Sequence, residues 1–377
     1  MGYGGHEATI TLAAVEDTLG AVRVVARDHL KAIANGGAPG RVNRALVAAL
    51  AEHGLLPRLF PEDGSVSART LCSLREGIAY VSPEAETALA LQGLGSYPIV
   101  QSGSPELVAR WIPEVRAGRA IAAFALTEPG AGSDAAALSL RAEADGDGYR
   151  LTGEKRWISN APDADFYVVF ARTGEGAGAR GVTAFVVEGD TAGLGGEHLE
   201  LVAPHPIGSV TFDGVRVERP AVLGEPGRGF EVAMRTLDLF RPSVGAFAVG
   251  MAHAALDASV AHAAERHAFD RPLKEFQAIS HRLADMATKL EAARLLVYRA
   301  AATYDAGEPV TQASAMAKLY ATEAAQEIVD DAIQIHGARA LEKGHLLEHL
   351  YREVRATRIY EGTSEIQRNI VARSLFR

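Results

Sequence analysis

The periodicity of the apolar residues changes twice along this chain, and the order of these changes limits the fold more than any other feature. From Leu12 to Ile33 the apolar residues recur every three or four positions, which is the spacing of an amphipathic helix. Ser82-Pro83-Glu84 and Ser104-Pro105-Glu106 are typical helix starts, each with a hydroxyl at the N-cap, proline at the first helical position and an acid in the first turn. We therefore predict that the first third of the chain is helical.

The middle of the chain is predicted to be a sheet. Between about Ile121 and Gly224, turn sequences such as Asp213-Gly214 separate short runs of β-branched and aromatic residues, at 149–152, 166–170, 182–187 and 209–212. Several strands without intervening helices favour an antiparallel sheet or barrel. From about Gly229 the helical pattern returns, in 254–268, 278–304, 311–336 and 363–374. The predicted fold class is therefore α+β, with a helical domain over residues 1–121, a β domain over 122–225 and a second helical domain over 226–377.

Composition excludes several classes of protein. The chain has 377 residues, enough for two or three domains, and its net charge of -9 argues against nucleic acid or an anionic membrane as the main partner. We find no run of about 18 apolar residues that predicts a membrane span. A single cysteine, Cys72, excludes an internal disulfide framework and a cysteine zinc site. The first residues lack a basic leader followed by an apolar core, so we expect a cytoplasmic protein. We predict no metal site.

Three polar segments could carry chemistry, and each has a simpler structural interpretation. Residues 125–134, which read Ala-Leu-Thr-Glu-Pro-Gly-Ala-Gly-Ser-Asp, form either a ligand-binding loop or a capped turn. In residues 153–160 a tryptophan precedes a serine on a predicted strand. The tryptophan either packs in the core or forms a wall against a flat heteroaromatic ring. Ser364 with Gln367 fits a capping box for the last helix. This places Glu361-Gly362 on a turn, where the carboxylate is either solvated or a positioned base.

Together and in this order, these segments resemble the acyl-CoA dehydrogenase family of flavoenzymes. The similarity runs from about Gly54 to the C-terminus, and its most specific blocks are 125–134 and 352–367, supported by 153–160, 237–242 and 266–277. It implies an N-terminal helical domain, a middle antiparallel β-barrel domain and a C-terminal four-helix bundle. It also implies FAD-dependent α,β-dehydrogenation of an acyl-CoA thioester, with an electron-transfer flavoprotein as acceptor and a homo-oligomer, commonly a tetramer, as the active assembly.

The resemblance assigns roles to individual residues. Glu361 matches the base that removes the α-proton while hydride passes to flavin N5, and the N–H of Gly362 would be a donor to the thioester oxygen. Phe240 occupies the position at which some relatives carry the base, which makes Glu361 the stronger candidate, with Arg241 beside it. The positions that match FAD contacts are Phe124, Leu126, Thr127, Ser133, Trp157, Ser159, Arg266, Phe269, Gln277, Gln334, Gly337, Ala338, Thr363 and Glu365. The positions that match substrate contacts are Ser133, Asp238, Phe240, Arg241 and Gly362. Among the FAD contacts, those between Arg266 and Gly337 match positions that reach the FAD of a neighbouring subunit.

The chain also departs from the family pattern. Where relatives have pairs of glycines, residues 337–341 read Gly-Ala-Arg-Ala-Leu, and the added side chains could loosen the adenylate end of the FAD site. The bulk of Phe240 beside the expected acyl channel favours a short or unusual acyl group.

Three alternatives remain open at this point. The same chemistry could act on an acyl-carrier-protein thioester, because no obvious Lys/Arg cluster is present for the phosphates of CoA. Flavin monooxygenation usually dispenses with the base, so Glu361 argues against it. A non-catalytic thioester-binding protein would not need the base and flavin segments that this chain retains.

Overall fold

The computed structural model describes residues 12–174 and 178–376, and their packing forms two compact units. Unit 1 comprises the described residues of Met1–Arg27, Ser67–Pro83 and Arg241–Arg377. Unit 2 comprises Asp28–Val66 and Glu84–Phe240. Each unit therefore combines segments that are distant in sequence, and the three domain boundaries drawn from the sequence remain a prediction.

The first third of the chain is helical, as predicted. Helix α1 (Leu12–Val25) continues through a π-helical turn into α2 (Lys31–Asn35). The helices that follow are α3 (Arg44–Glu52), α4 (Leu55–Leu59), α5 (Ala68–Ala79), α6 (Pro83–Ser102) and α7 (Pro105–Arg116). The predicted starts of α6 and α7 are confirmed, and Oγ of Ser104 caps α7 by accepting a 3.3 Å hydrogen bond from the amide of Leu107.

The middle of the chain forms one eight-stranded sheet. Its strands are β1 (Ala122–Ala125), β2 (Arg141–Asp145), β3 (Gly148–Ser159), β4 (Phe166–Arg172), β5 (Val182–Glu188), β6 (Leu194–Gly195), β7 (Ile207–Glu218) and β8 (Val222–Leu223). They pair in the order β6-β7-β3-β2-β4-β5-β8, with β1 beside β4. All four predicted strand segments lie within these strands. Strands β4 and β5 are buried along almost their whole length, so they form the core of the sheet.

The predicted middle sheet domain is present, but its strand pairing is mixed rather than purely antiparallel. Strand β4 pairs in parallel with both β1 and β2. Parallel pairing requires a long connection rather than a hairpin, and the chain between β1 and β4 supplies it. These parallel pairs make the sheet mixed, and the hydrogen-bonded order of the described strands runs from β6 to β8.

The last third returns to long helices. These are α8 (Gly229–Glu265), α9 (Gln277–Asp305), α10 (Thr311–His336), α11 (Leu346–Thr357) and α12 (Ser364–Leu375). The helix predicted over 254–268 ends at Glu265, because Phe269 and Asp270 adopt φ of 51° and 64° and turn the chain into a small hairpin. Its strands are β9 (His267–Ala268) and β10 (Arg271–Pro272).

Helix α8 is the most apolar of the long helices. Among the described residues it alone is long and apolar enough to cross a membrane by length and composition, with a mean hydropathy of 1.4 in its most apolar window. Of that window, 72% is buried inside the protein, as in the core helix of a folded domain.

Glycines let the helices of unit 1 approach one another closely. A Cβ added at Gly250 on α8 would lie 2.4 Å from the carbonyl oxygen of Glu76 on α5. One added at Gly245 would lie 2.7 Å from Val297 on α9 and 3.3 Å from the backbone of Ala317 on α10. Helices α5, α9 and α10 therefore surround α8 at short range, and charged side chains on their buried faces come together.

Candidate active site

The turn between α11 and α12 carries Glu361, and the way α12 begins determines its shape. Thr363 is the N-cap, because its Oγ1 accepts a 3.4 Å hydrogen bond from the amide of Ile366. The predicted capping box of Ser364 and Gln367 is wrong: Oγ of Ser364 donates to Glu323 at 2.5 Å. Nε2 of Gln367 instead donates to the carbonyl oxygens of the turn, because no helical amide reaches them. The distances are 3.2 Å to residue 361 and 2.9 Å to residue 362.

Both residues of this turn have positive φ. Glu361 has φ of 53° and Gly362 has φ of 93°. For a residue with a side chain, this left-handed conformation costs about 1–2 kcal/mol. A Cβ added at Gly362 would lie 2.6 Å from Nε2 of Gln367 and would displace that amide, and the φ of 93° strains any residue other than glycine. The surroundings thus enforce a conformation that the glutamate would not adopt by itself.

The carboxylate of Glu361 has the properties of a base. The residue is partly exposed, but its Oε2 is buried, and none of the described residues hydrogen-bonds this oxygen. Burial raises the pKa of the Glu361 carboxyl above its ordinary value, while the charges of Arg75, Lys318 and Arg241 oppose that effect. A buried carboxylate oxygen with an unused acceptor position and a raised pKa can take a proton from a weak carbon acid.

Three cations surround the turn, all within unit 1. Nε of Arg241 donates to the carbonyl oxygen of Glu361 at 3.3 Å, and Nζ of Lys318 donates to that of Gly362 at 2.7 Å. Nη1 of Arg75 donates to Oγ of Ser243 at 2.7 Å. The sequence predicted the arginine at position 241 and missed the other two cations. The sequence feature that could have revealed these two cations is a charged residue on the apolar face of a helix. Lys and Arg are rarely buried, so such a position is unusual.

A second cluster lies in unit 2, where two predicted flavin segments run side by side. The carbonyl oxygen of Thr127 accepts the amide of Arg156 at 3.0 Å, and that of Leu126 accepts Nζ of Lys155 at 2.9 Å. Nδ2 of Asn160 donates to the carbonyl oxygen of Ala122 at 2.8 Å. The structure therefore brings the segment of Phe124, Leu126 and Thr127 against the segment of Trp157 and Ser159.

Trp157 is displayed by a β-bulge. In the register of β3 with β7, Arg156 pairs with Ser209 and Ile158 with Gly208, which leaves Trp157 as an extra residue with φ of 57°. A bulge redirects a side chain away from its regular face. The indole is 46% exposed, which is unusual for a large ring next to a buried core, and its face suits stacking with a flat aromatic ligand. This geometry fits an isoalloxazine ring.

A buried ion pair fixes the loop that precedes this surface. Nζ of Lys155 lies 2.8 Å from Oε1 of Glu128, and the same carboxylate accepts hydrogen bonds from the amides of Ser139 and Leu140. Burial lowers the pKa of Lys155 to about 8, although the carboxylate opposes this. Burial would raise the pKa of Glu128, but the ammonium and the two amides bring it below its ordinary value. Both residues lie in the segments recognised in the sequence, which gave them no role.

The other predicted FAD contacts of unit 1 lie on its surface. Phe269, at the tip of the hairpin, is 89% exposed. The exposed residues on the adjoining hairpin and helix ends are Arg266, Gln277, Gln334, Gly337 and Ala338, and Glu365 on α12 is exposed as well. Their assignment to FAD remains a prediction.

The predicted substrate contacts of unit 2 differ in burial. Ser133 is exposed and Asp238 is partly exposed on α8. Phe240 is 1% exposed, its ring 6.3 Å from that of Tyr97, and a Cβ added at Gly93 would lie 2.9 Å from it. The ring thus fills space that a glycine leaves open.

The helix–sheet–helix order, the displayed indole and the buried carboxylate are typical of a flavin-dependent oxidoreductase. Three sequence profiles match in succession: the acyl-CoA dehydrogenase N-terminal domain at residues 14–119, the middle domain at 123–215 and the C-terminal domain at 227–376. The chain belongs to the acyl-CoA dehydrogenase family, a family of FAD-dependent enzymes.

Relatives support this over the full length of the chain. Cyclohexane-1-carbonyl-CoA dehydrogenase from Geobacter metallireducens is 38% identical over 365 residues, which cover 94% of this chain and 96% of the relative. The solved structure of butyryl-CoA dehydrogenase from Megasphaera elsdenii is 31% identical with a TM-score of 0.91, and all of both chains is covered. The FAD complex of PigA is 26% identical with a TM-score of 0.90, covering 100% of this chain and 99% of that one.

Proposed function

We propose that this enzyme converts an acyl-CoA thioester to its α,β-unsaturated product, with Glu361 as the base. One observation carries the proposal: Oε2 of Glu361 is buried, and no described residue hydrogen-bonds it, on a turn held by three donors. Because both carbonyl oxygens of this turn accept hydrogen bonds from the protein, the unused acceptor on the carboxylate is the position at which a substrate proton would be received.

The residues of the turn divide the work of proton removal. The α-proton of a thioester is only weakly acidic, so its removal needs a base in a dry environment and a donor for the oxygen that becomes negative. Glu361 takes the proton on Oε2, and the N–H of Gly362 donates to the thioester oxygen. Arg241 and Gln367 hold the carbonyl of the same peptide and keep that N–H in a fixed direction.

The residues of unit 2 bind the cofactor in this proposal. Trp157 and Ser159 would hold the isoalloxazine ring together with the backbone of Leu126 and Thr127, which Lys155 and Arg156 fix. When bound, FAD accepts the β-hydrogen as hydride. An electron-transfer flavoprotein then reoxidises it, and the active assembly is a homo-oligomer, expected to be a tetramer.

The test is Glu361→Gln, which keeps the shape of the side chain and removes its basicity. We expect the purified variant to retain FAD but to lose flavin bleaching by acyl-CoA under anaerobic conditions, by a factor of at least about 10³. Glu308→Gln, an exposed change in a loop of the same unit, is the control and should bleach at the wild-type rate. Bleaching of the Glu361 variant at a rate similar to the control would remove Glu361 from this role.

The same assay distinguishes the carrier of the acyl group. The wild-type enzyme is mixed with straight and cyclic acyl-CoAs and with the matching acyl groups on an acyl-carrier protein. We expect bleaching by short or compact acyl-CoAs, because of the bulk of Phe240. Bleaching by the carrier-protein thioesters alone would replace CoA by a carrier protein in the proposal and leave the chemistry unchanged.

A further inference from the structure

Three side chains from three helices converge on two consecutive carbonyl groups. Arg241 on α8 and Gln367 on α12 donate to the oxygen of Glu361, at 3.3 Å and 3.2 Å. Lys318 on α10 and Gln367 donate to the oxygen of Gly362, at 2.7 Å and 2.9 Å. We call Arg241, Lys318 and Gln367 the carbonyl clamp.

The planarity of the peptide gives the clamp a consequence for the reacting groups. The carbonyl of Glu361 and the N–H of Gly362 belong to one peptide unit, and in a trans peptide they point in opposite directions. A carbonyl fixed by the first pair of donors therefore fixes the N–H on its other side. The second carbonyl, held by Lys318, fixes the next peptide plane, so that Gly362 cannot rotate out of its positive φ.

Lys318 differs from the other members because its charge is both buried and titratable. Its side chain is 0% exposed, on the face of α10 that also buries Ala317 and Ala321. Burial lowers the pKa of its ammonium to about 8, while Glu361 opposes the shift. Other charges also act on it: Arg241 on α8 lowers this pKa, and Glu323 on α10 and Glu365 on α12 raise it.

The electrostatic effect works in both directions. Arg75 from α5, Lys318 from α10 and Arg241 from α8 are the charges that hold the pKa of Glu361 down against its burial. Both arginines keep their charge at all accessible pH values. Lys318 is therefore the one member of this group that could change the ionisation of the base by losing a proton.

We propose that Lys318 is a positioning residue of the dehydrogenation reaction: its ammonium holds the carbonyl of Gly362 in place, and its charge favours the ionised form of Glu361. This inference rests on the proposed role of Glu361 as the base. It assigns to Lys318 no contact with substrate or cofactor.

The sign of the expected pH effect follows from the charge. Removing a positive charge near a carboxylate disfavours its ionised form and raises its pKa. Activity requires ionised Glu361, so the acid limb of kcat/KM against pH moves to higher pH when Lys318 is replaced by a neutral residue. A replacement that keeps the charge leaves the limb in place.

Three variants separate the hydrogen bond from the charge: Lys318→Gln can still donate to the carbonyl but is neutral, Lys318→Met neither donates nor carries a charge, and Lys318→Arg keeps the charge. Lys31→Met, at an exposed lysine on α2, is the control. FAD content and thermal melting are recorded for each variant, so that kinetics are compared between folded holoenzymes. The assay is acyl-CoA oxidation with an artificial electron acceptor. The rates are measured between about pH 5.5 and 9.5, a range that lies between the ordinary pKa values of a carboxyl group and an amine.

For Lys318→Gln we expect the acid limb to rise by roughly one pH unit. For Lys318→Met we expect the same rise and a kcat lowered by about tenfold or more, with KM changed less than about threefold, because positioning acts on the chemical step. Lys318→Arg should keep the wild-type limb. If methionine prevents folding, the limb of the glutamine variant decides the question alone.

An unchanged limb in Lys318→Gln overturns the proposal, and so does an equal shift in Lys318→Arg. Failure of this inference can be told from failure of the proposed function. An inactive Glu361→Gln enzyme with an unchanged limb in Lys318→Gln rejects only the role of Lys318, whereas an active Glu361→Gln enzyme rejects the base itself.

Discussion

At the scale of single residues, the proposed base, Glu361, has a backbone conformation that glutamate seldom adopts. The positive φ of Glu361 costs about 1–2 kcal/mol. Hydrogen bonds from charged donors are each worth about 1.5–3 kcal/mol, and the carbonyl clamp contributes two of them, from Arg241 and Lys318. Burial of the Lys318 ammonium costs free energy in turn, so the clamp fixes the shape of the turn rather than adding net stability.

Gly362→Ala tests this balance. The new Cβ would lie 2.6 Å from Nε2 of Gln367 and would sit on a backbone with φ of 93°. We expect a loss of stability of about 1–3 kcal/mol and a fall in kcat/KM of about 100-fold, measured by denaturant unfolding and steady-state kinetics. Gly20→Ala, on α1 with nothing within 4 Å of the new Cβ, should be neutral or slightly stabilising. A Gly362 variant that matches this control would show that the turn tolerates a side chain.

Stability should also report the buried ammonium of Lys318. Its pKa is about 8 in the folded protein against an ordinary 10.5, so the folded state binds this proton less tightly than the unfolded chain. Between these two pH values the unfolded chain still holds the proton and the folded protein has lost it, so the contribution of Lys318 to stability rises with pH. Relative to Lys318→Met, the wild type should gain about 3 kcal/mol in unfolding free energy between pH 7.5 and pH 10.5. Denaturant titrations at both pH values measure this gap, and a constant gap would contradict the buried charge.

At the scale of elements, neighbouring residues of strand β3 have two functions. One exposes the indole of Trp157, and the other anchors the loop after β1. The bulge at Trp157 turns the indole outward, while two residues earlier Lys155 points into the core and bonds Leu126 and Glu128. The same strand therefore orders both sides of the proposed flavin surface.

Lys155→Met should uncouple these two sides. It leaves the carboxylate of Glu128 buried without its cation, and breaking such a pair typically costs about 3–5 kcal/mol. We expect FAD to dissociate at least about tenfold more readily, measured by the recovery of flavin fluorescence on dilution. Lys31→Met should release FAD at the wild-type rate.

The double variant Glu128→Gln/Lys155→Met separates stability from binding. Removing both charges should recover much of the lost stability, as seen in thermal melting of the apoprotein. FAD affinity should stay low, because the carbonyl of Leu126 remains unanchored. Full recovery of FAD affinity would assign the pair a purely structural role.

At the scale of the whole molecule, the predicted FAD contacts are divided between the two units. Phe124, Leu126, Thr127, Trp157 and Ser159 lie in unit 2, and the contacts predicted to serve a neighbouring subunit lie in unit 1. The latter are exposed, and the ring of Phe269 is 89% exposed. Exposure of a large ring at a turn of positive φ is expected where a second subunit covers it.

Phe269→Glu tests the predicted assembly. A charge at this position should weaken association between subunits. It should also lower FAD occupancy, because residues of two subunits are predicted to bind each FAD. Light scattering after size exclusion should show a smaller assembly than the wild type, with a reduced ratio of flavin to protein absorbance. Val24→Glu, at a position 45% exposed on α1, should leave both quantities unchanged. A full-size, fully loaded Phe269 variant would place the subunit interface elsewhere.

The sequence predicted most of what depends on local pattern. The helix starts at Pro83 and Pro105 follow from capping chemistry, and the strands around 166–170 and 182–187 follow from β-branched runs. Glu361 and Trp157 were recognised because each lies in a contiguous motif. Two local predictions were wrong for reasons that residue propensities do not include. The amide of Gln367 bonds the carbonyl oxygens of the turn instead of completing a capping box, and a hairpin at 267–272 ends α8 before residue 268.

What the sequence by itself determined is the order of helix, sheet and helix and the turn that carries Glu361, the proposed base, because periodicity and short motifs are encoded by neighbouring residues. What only the tertiary structure decided is the environment of that base. Arg75, Lys318 and Arg241 come from three helices, and the distances over which charges and hydrogen bonds act on Glu361 are set by how closely those helices pack. Separation along the chain does not give those distances, so Arg75 and Lys318 could be recognised as neighbours of Glu361 only in the tertiary structure.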